Sequence, residues 1–283
     1  MNSLITPQLR RTSEIPFHSD RAPGDRFVFV GRVLDPVCKL YVVGRRVEDV
    51  AADQPEWLDD HRHNCPTFYV LLGRNPDLTG LAAEVVIEGT VFLAEAPAAV
   101  LLPTGALHHH RLVRGGGWSF HVNVRPDYVE SLLDLPDQPL RGVRVPEVCR
   151  TAEPRSGTVR AWEEKEGAFD PGWPAGPGPL LWKVISPDDF HDPGVRLHVH
   201  QFGPGVRAGF AEALHRQAAD EAYIFLPDFG RSLEVEVTAD GAAGRVRDLG
   251  TAYHPAGSAH AYRHLAGEGL VLKFLRLGGS CAQ

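Results

Sequence analysis

Residues 61–73, His61-Arg62-His63-Asn64-Cys65-Pro66-Thr67-Phe68-Tyr69-Val70-Leu71-Leu72-Gly73, are matched 154 positions later by His215-Arg216-Gln217-Ala218-Ala219-Asp220-Glu221-Ala222-Tyr223-Ile224-Phe225-Leu226. Each copy opens on a polar, imidazole-bearing tripeptide and closes on an apolar run rich in aromatic and branched residues, the signature of a buried strand. Taken alone, the second copy has an amphipathic helical look. The first cannot be helical through Pro66 without a break, so both are read as strands. A second pair of motifs, Pro103-Thr104-Gly105-Ala106-Leu107-His108 and Pro255-Ala256-Gly257-Ser258-Ala259-His260, stands 152 positions apart. Two motif pairs in the same order at nearly the same offset mark a duplicated domain.

Outward from these motifs the chain keeps the same texture. FVFVGRV, AEVVIEGTVFL, WSFHVNV, RLHVHQF, LEVEVTADG and GLVLKFL are short strand-like runs separated by Gly, Pro, Asp or Asn, so the expected fold class is all-β. Helical periodicity is confined to PDYVESLLDL after Pro126, which reads as a connector of two to three turns. Between the copies, EPRSGTVRAWEEKEGAFDPGWPAGPGPL is dense in Pro, Gly and charge, as linkers are. The expected division is an arm over 1–26, a first domain over 27–135, a linker over 136–180 and a second domain over 181–277.

Composition excludes several classes of function. Hydrophobic residues at 43% and charged residues at 23% are ordinary for a globular chain, so long disorder is not expected. Net charge is -7 with no basic block, which argues against nucleic acid as a partner. The first 25 residues lack the apolar core of a secretory signal, and no run of about eighteen apolar residues is present to span a bilayer. A cytoplasmic protein without membrane contact is expected. Cys38, Cys65, Cys149 and Cys281 form no CxxC pair, which points to reduced thiols and away from a thiolate zinc site.

Fourteen histidines remain to be explained, and they cluster at the repeated motifs. Residues two apart on a strand share a face, so His61 projects with His63 and His215 with Gln217. Six positions on, the same parity brings in Thr67 in the first copy and Glu221 in the second. The Pro-x-Gly turns then carry His108 and His260 back across from these residues. Imidazole, carboxylate and amide groups converging in this way suit Fe, Mn, Ni, Cu or Zn, with positions left open for water or substrate. For the second set, a buried hydrogen-bonded cluster is the alternative. Tyr69 and Tyr223 share the inward parity and are candidate catalytic residues that orient substrate or donate a proton; core packing is the plainer fate. His110, His121, His198 and His200 are candidates for substrate contact, and Cys65 reads as a small buried hydrophobe.

The two-part pattern H-x-H-x(3)-E-x(6)-G followed by P-x-G-x-x-H resembles that of the cupin superfamily, and its double occurrence resembles bicupins, among them bicupin dioxygenases and polyketide cyclases. The resemblance spans Phe27 to Pro126 and Val184 to Leu277. It implies two tandem double-stranded β-helix barrels, the jelly-roll form, with metal ligands from both motifs inside each. The first copy keeps His61, His63 and His108 but has Thr67 where the family usually has glutamate, as in the three-histidine variant of some cupin dioxygenases. The second keeps His215, Glu221 and His260 but has Gln217, a weaker neutral ligand, in place of a histidine.

The resemblance implies one divalent transition metal per occupied barrel, with iron the first choice. The leading expectation is a metal-dependent enzyme acting on a small organic molecule, in particular an oxidoreductase of the non-haem-iron dioxygenase type. The alternatives are a redox-neutral metal-assisted cyclase, isomerase or lyase, and a non-catalytic bicupin that binds a small ligand. A monomer or a homodimer of bicupins fits the tandem arrangement.

Overall fold

A computed structural model describes residues 3–51, 54–55, 57–133, 150–151, 179–186, 190, 194–206 and 208–277. Most of the expected linker, together with Cys149 and Cys281, lies outside the described residues; Cys38 and Cys65 are buried and form no disulfide among the described residues. In chain order the strands are β1 (Ser3–Ile5), β2 (Gln8–Leu9), β3 (Asp25–Val30), β4 (Tyr41–Val47), β5 (Thr67–Gly73), β6 (Leu81–Ile87), β7 (Thr90–Glu95), β8 (Ala98–Leu102), β9 (His108–Gly115), β10 (Gly117–Asn123) and β11 (Arg150–Thr151). They continue as β12 (Leu180–Ile185), β13 (Val195–Phe202), β14 (His215–Arg216), β15 (Glu221–Pro227), β16 (Leu233–Ala239), β17 (Ala242–Arg247), β18 (Gly250–His254), β19 (Ala259–Gly267) and β20 (Gly269–Arg276). One short helix, α1 (Tyr128–Ser131), follows β10. The protein is all-β, and no helix among the described residues is long and apolar enough to cross a membrane.

The chain divides into two compact units, one built on Gln8–Ala152 and the other on Val195–Gly278 with β1 and β12. In the N-terminal unit an antiparallel sheet ordered β11-β8-β5-β10-β4-β3-β2 faces a three-stranded sheet ordered β7-β6-β9. Tyr69, Leu71, Val85, Ile87, Leu102 and Leu112 meet in its core, each such residue contributing about 1.5–3 kcal/mol of burial free energy. The C-terminal unit pairs a sheet ordered β1-β18-β15-β20-β13-β12 with one ordered β14-β19-β16-β17. Its core holds Tyr223, Phe225, Val235, Val237, Tyr262 and Val271. The series β8-β5-β10-β4 recurs as β18-β15-β20-β13, the duplication read from the motifs. In β5 and β10 every position is buried, which explains why their sequences are continuous apolar runs while the half-buried β16 alternates.

Two local expectations are modified. The segment 1–26 is not a loose arm among its described residues: β1 joins β18, β2 joins β3, and Thr12 accepts a hydrogen bond from the Arg45 guanidinium at 2.8 Å. The helix after Pro126 is a single turn. Asp127 caps it by accepting from the Val129 and Glu130 amides, and Leu132 then turns extended at ψ 142° and bridges His63.

Candidate metal centre

His61, His63 and Thr67 do not lie on one unbroken strand as expected. His61 and His63 form single bridges, to His108 and Leu132, and β5 begins only at Thr67. Pro66 has no amide proton to continue the ladder, and the Asn64 amide is taken by the Ser131 carbonyl at 2.7 Å. The histidines nevertheless meet. His61 and His108 exchange both backbone hydrogen bonds, at 3.2 and 3.0 Å. The Pro103 turn closes through Ala106 N–H to Pro103 O at 3.0 Å with Gly105 at φ 78°, a left-handed position that glycine takes without a Cβ clash. The Gly105 amide reaches the His63 carbonyl at 2.8 Å, and the Arg62 guanidinium grips the Gly105 carbonyl at 2.5 Å. One ring nitrogen from each of His61, His63 and His108 lies within 4.8 Å of the others.

Hydrogen bonding sets which nitrogens face each other. His61 Nδ1 donates to the Asp59 carbonyl at 2.9 Å and His108 Nδ1 to the Ala106 carbonyl at 2.8 Å. Ser131 Oγ donates its proton to the Tyr128 carbonyl at 2.6 Å, so toward His63 Nδ1, at 2.8 Å, it accepts. All three rings therefore carry hydrogen on Nδ1 and present Nε2 as a lone pair. All three Nε2 atoms are buried without a hydrogen-bond partner among the described residues. Burial holds the rings neutral: His61 is lowered from 6.5 to about 4, and His63 and His108 also lie far below the ordinary value. Three converging, uncharged lone pairs with no proton donor are costly to desolvate and are the donor set a divalent transition metal takes. Thr67 is buried where a carboxylate would stand, and the Cys65 thiol is engaged by Asn123 Oδ1 at 2.7 Å.

Beside the trio is a small, partly open cavity lined in part by Val43, Trp57, Tyr69, His110, Phe120, His121 and Tyr128. His63 is 5.1 Å from the Tyr128 ring and 5.2 Å from His121, and Tyr69 is 6.1 Å from His108. His110 is inward as expected but packs on Trp57 at 4.9 Å and Tyr69 at 3.8 Å, outside the ligand trio. The Tyr69 and Tyr128 hydroxyls are buried without partners among the described residues, and burial pushes both above the ordinary tyrosine value. The cavity also meets Arg26 and Arg45, cross-strand neighbours on β3 and β4. Arg26 donates to Tyr41 at 2.8 Å; Arg45 donates to Thr12 and to the Pro23 and Gly24 carbonyls and lies over Trp57 at 4.8 Å. Neither forms an ion pair with a carboxylate among the described residues, and burial beside Arg26 pulls Arg45 down to about 9. Phe17, at φ 66°, stacks on the His61 ring at 5.7 Å, and His18 completes that wall.

The C-terminal unit repeats the scaffold with different chemistry. His215 pairs with His260 across β14 and β19, Gly257 sits at φ 83° in the turn, and its amide reaches the Gln217 carbonyl at 2.7 Å. β14 and β15 are separate strands, yet His215, Glu221 and His260 each place one donor atom within 4.8 Å of the others; Gln217 is half-buried. Glu221 Oε2 faces His260 Nε2 at 2.7 Å and His215 Nε2 at 3.4 Å, while Oε1 is 3.1 Å from the Lys273 ammonium. Lys273 also pairs with Glu212, whose other oxygen accepts from Tyr223 at 2.6 Å. Burial alone would raise Glu221, but Lys273 and the two imidazoles hold it well below the carboxylate range. Burial likewise would lower His215, but the Glu221 contact, the Glu212 charge and the Ala213 carbonyl together hold it above the ordinary value. His198 and His200 are both buried along β13, with His200 hydrogen-bonded to Tyr262.

Sequence reasoning missed Ser131, Tyr128, Arg26 and Arg45 in the first unit and Glu212 and Lys273 in the second. The available signal was a charged residue inside an otherwise apolar strand, as in GLVLKFL.

No family model and no curated protein matches the chain. Solved structures do. AerE from Microcystis aeruginosa aligns at TM-score 0.56 and 11% identity over 97% of this chain and 98% of its own. Salicylate 1,2-dioxygenase from Pseudoaminobacter salicylatoxidans, with gentisate adducts, aligns at 0.54 and 13% over 96% and 81%. The fold is that of a bicupin. Oxalate decarboxylase from Bacillus subtilis, studied for its Mn(II) centres, aligns with this chain at 0.55 and 13% over 98% and 77%.

Proposed function

We propose that the N-terminal barrel is a metal-dependent active site for a small organic anion, working as a dioxygenase. The reading is carried by the three unpartnered Nε2 atoms of His61, His63 and His108. A metal held there would supply Lewis-acid polarisation of substrate oxygens and, for iron, one-electron chemistry with dioxygen. Arg26 and Arg45 bind the anion, since two buried guanidiniums without a carboxylate partner favour an incoming negative charge. Trp57, Val43 and Phe120 pack its apolar part and exclude water. Tyr69, kept protonated by burial, donates a hydrogen bond or proton to a substrate oxygen. Salicylate 1,2-dioxygenase and oxalate decarboxylase, which share this fold, are both named for small organic acids, and this supports an anionic substrate.

The test is a screen of small carboxylates with iron-loaded protein, following substrate loss and oxygen uptake together. One oxygen consumed per substrate lost, abolished in His63→Ala, is the expected result. Turnover that continues unchanged under strict anaerobiosis refutes the dioxygenase and leaves a redox-neutral metal-assisted reaction, for which the two buried tyrosine hydroxyls supply protons.

A further inference from the structure

The two barrels differ at equivalent positions in a way that redistributes charge. Thr67 and His121 of the first barrel stand 154 and 152 positions before Glu221 and Lys273 of the second, and Leu58 stands 154 before Glu212. Register confirms the equivalence of His121 and Lys273: His121 pairs with Tyr69 as Lys273 pairs with Tyr223. The first barrel thus offers neutral ligands only. The second buries two carboxylates, Glu212 and Glu221, and places an ammonium group between them.

We propose that Lys273 is the resident cation of the C-terminal barrel, satisfying Glu221 in place of a metal ion, so that the protein takes up one metal ion per chain. Glu221 Oε2 meets His260 Nε2 at 2.7 Å, and Oε1, which has no hydrogen-bond partner among the described residues, is in ion-pair contact with Lys273 Nζ at 3.1 Å, so its charge is balanced by a group of the chain itself. A dication set among His215, Glu221 and His260 would stand close to the ammonium, and like charges in a buried site repel strongly. Lys273 has no room to withdraw its charge, because Glu212 pins it from the other side and Tyr223 Oη fixes Glu212 at 2.6 Å. Gln217, where the first barrel has His63, removes one further ligand. Without Lys273 the same shell would hold two buried carboxylates, a charge that a divalent cation neutralises. The count per chain rests on the metal site proposed for the N-terminal barrel; the exclusion of metal from the C-terminal barrel does not.

The experiment is metal analysis after anaerobic loading with Fe(II) or Mn(II) and desalting, on wild type, Lys273→Met, Lys273→Met/His63→Ala and Lys273→Met/His260→Ala. The expected contents are one, two, one and one metal ions per chain. Lys273→Arg, which keeps the charge, should stay at one. Folded Lys273→Met that gains no metal overturns the proposal, as does wild type that binds a second ion lost in His260→Ala. Should Lys273→Met fail to fold, wild type against His215→Ala decides: unchanged content supports the proposal and a lost ion refutes it. Wild type with no metal and Lys273→Met with one would sustain this inference while overturning the N-terminal site.

Discussion

Ser131→Ala is a small change with a specific expected effect. The hydroxyl is fully buried and holds three partners: it donates to the Tyr128 carbonyl at 2.6 Å and accepts from Asn123 Nδ2 at 2.7 Å and His63 Nδ1 at 2.8 Å. Alanine leaves two buried N–H groups without an acceptor, which costs about 1–3 kcal/mol each in folding free energy if no water enters. It also frees His63 to place its proton on Nε2, where that proton competes with a metal ion. Loss of such a supporting group typically weakens metal binding about 10–100-fold, or about 1.4–2.8 kcal/mol. Competition against a chromophoric chelator measures the affinity, and urea unfolding of the stripped protein measures the folding loss separately. Ser131→Thr keeps the Oγ and should retain most of the affinity. A folded Ser131→Ala variant with wild-type metal affinity would refute the assigned tautomer and the role of Nε2.

Tyr69→Phe removes a buried hydroxyl that has no partner among the described residues, so stability should change by less than about 1 kcal/mol while kcat falls about 10²-fold or more with KM nearly unchanged; equal losses in both assays would make Tyr69 structural. Arg45→Met should raise KM for an anionic substrate about 30-fold or more and leave metal content alone, and a neutral analogue should lose its disadvantage in that variant. For the metal-free protein, His61 is neutral when folded and titrates near 4 against 6.5 unfolded. The unfolded state therefore binds more protons as pH falls, and the stability that is complete above 6.5 drains away toward 4, by about 2 kcal/mol at pH 5 for this residue. Urea midpoints of chelator-treated protein between pH 8 and pH 5 should fall accordingly, and rising midpoints would contradict a neutral buried trio.

Much of the fold was legible because its signals are local and duplicated. Pro-x-Gly-x-x-His demands a turn with a left-handed residue, and both copies form that turn with glycine there. The site was legible as a set of residues but not as a route. His61 and His63 stand on isolated bridges, to His108 and Leu132, rather than along β5; Pro66 was read only as a helix breaker, and the Asn64–Ser131 contact that completes the strand break joins residues far apart in sequence. Ser131, Arg45 and Lys273 were missed for a different reason. Each acts through a partner far away in sequence, so its meaning depends on sheet register, as in the Tyr223–Lys273 pair that sets an ammonium beside Glu221. Nothing in the sequence of the arm pointed to the site, yet ring contacts of Phe17 and His18 with His61 fasten it there.

Metal content of the wild type against His61→Ala, His63→Ala and His108→Ala, each checked for folding by circular dichroism, decides whether the N-terminal barrel is a metal centre. One metal ion per chain in the wild type, lost in each folded variant, is the expected result. Full retention of metal by the folded variants would contradict it.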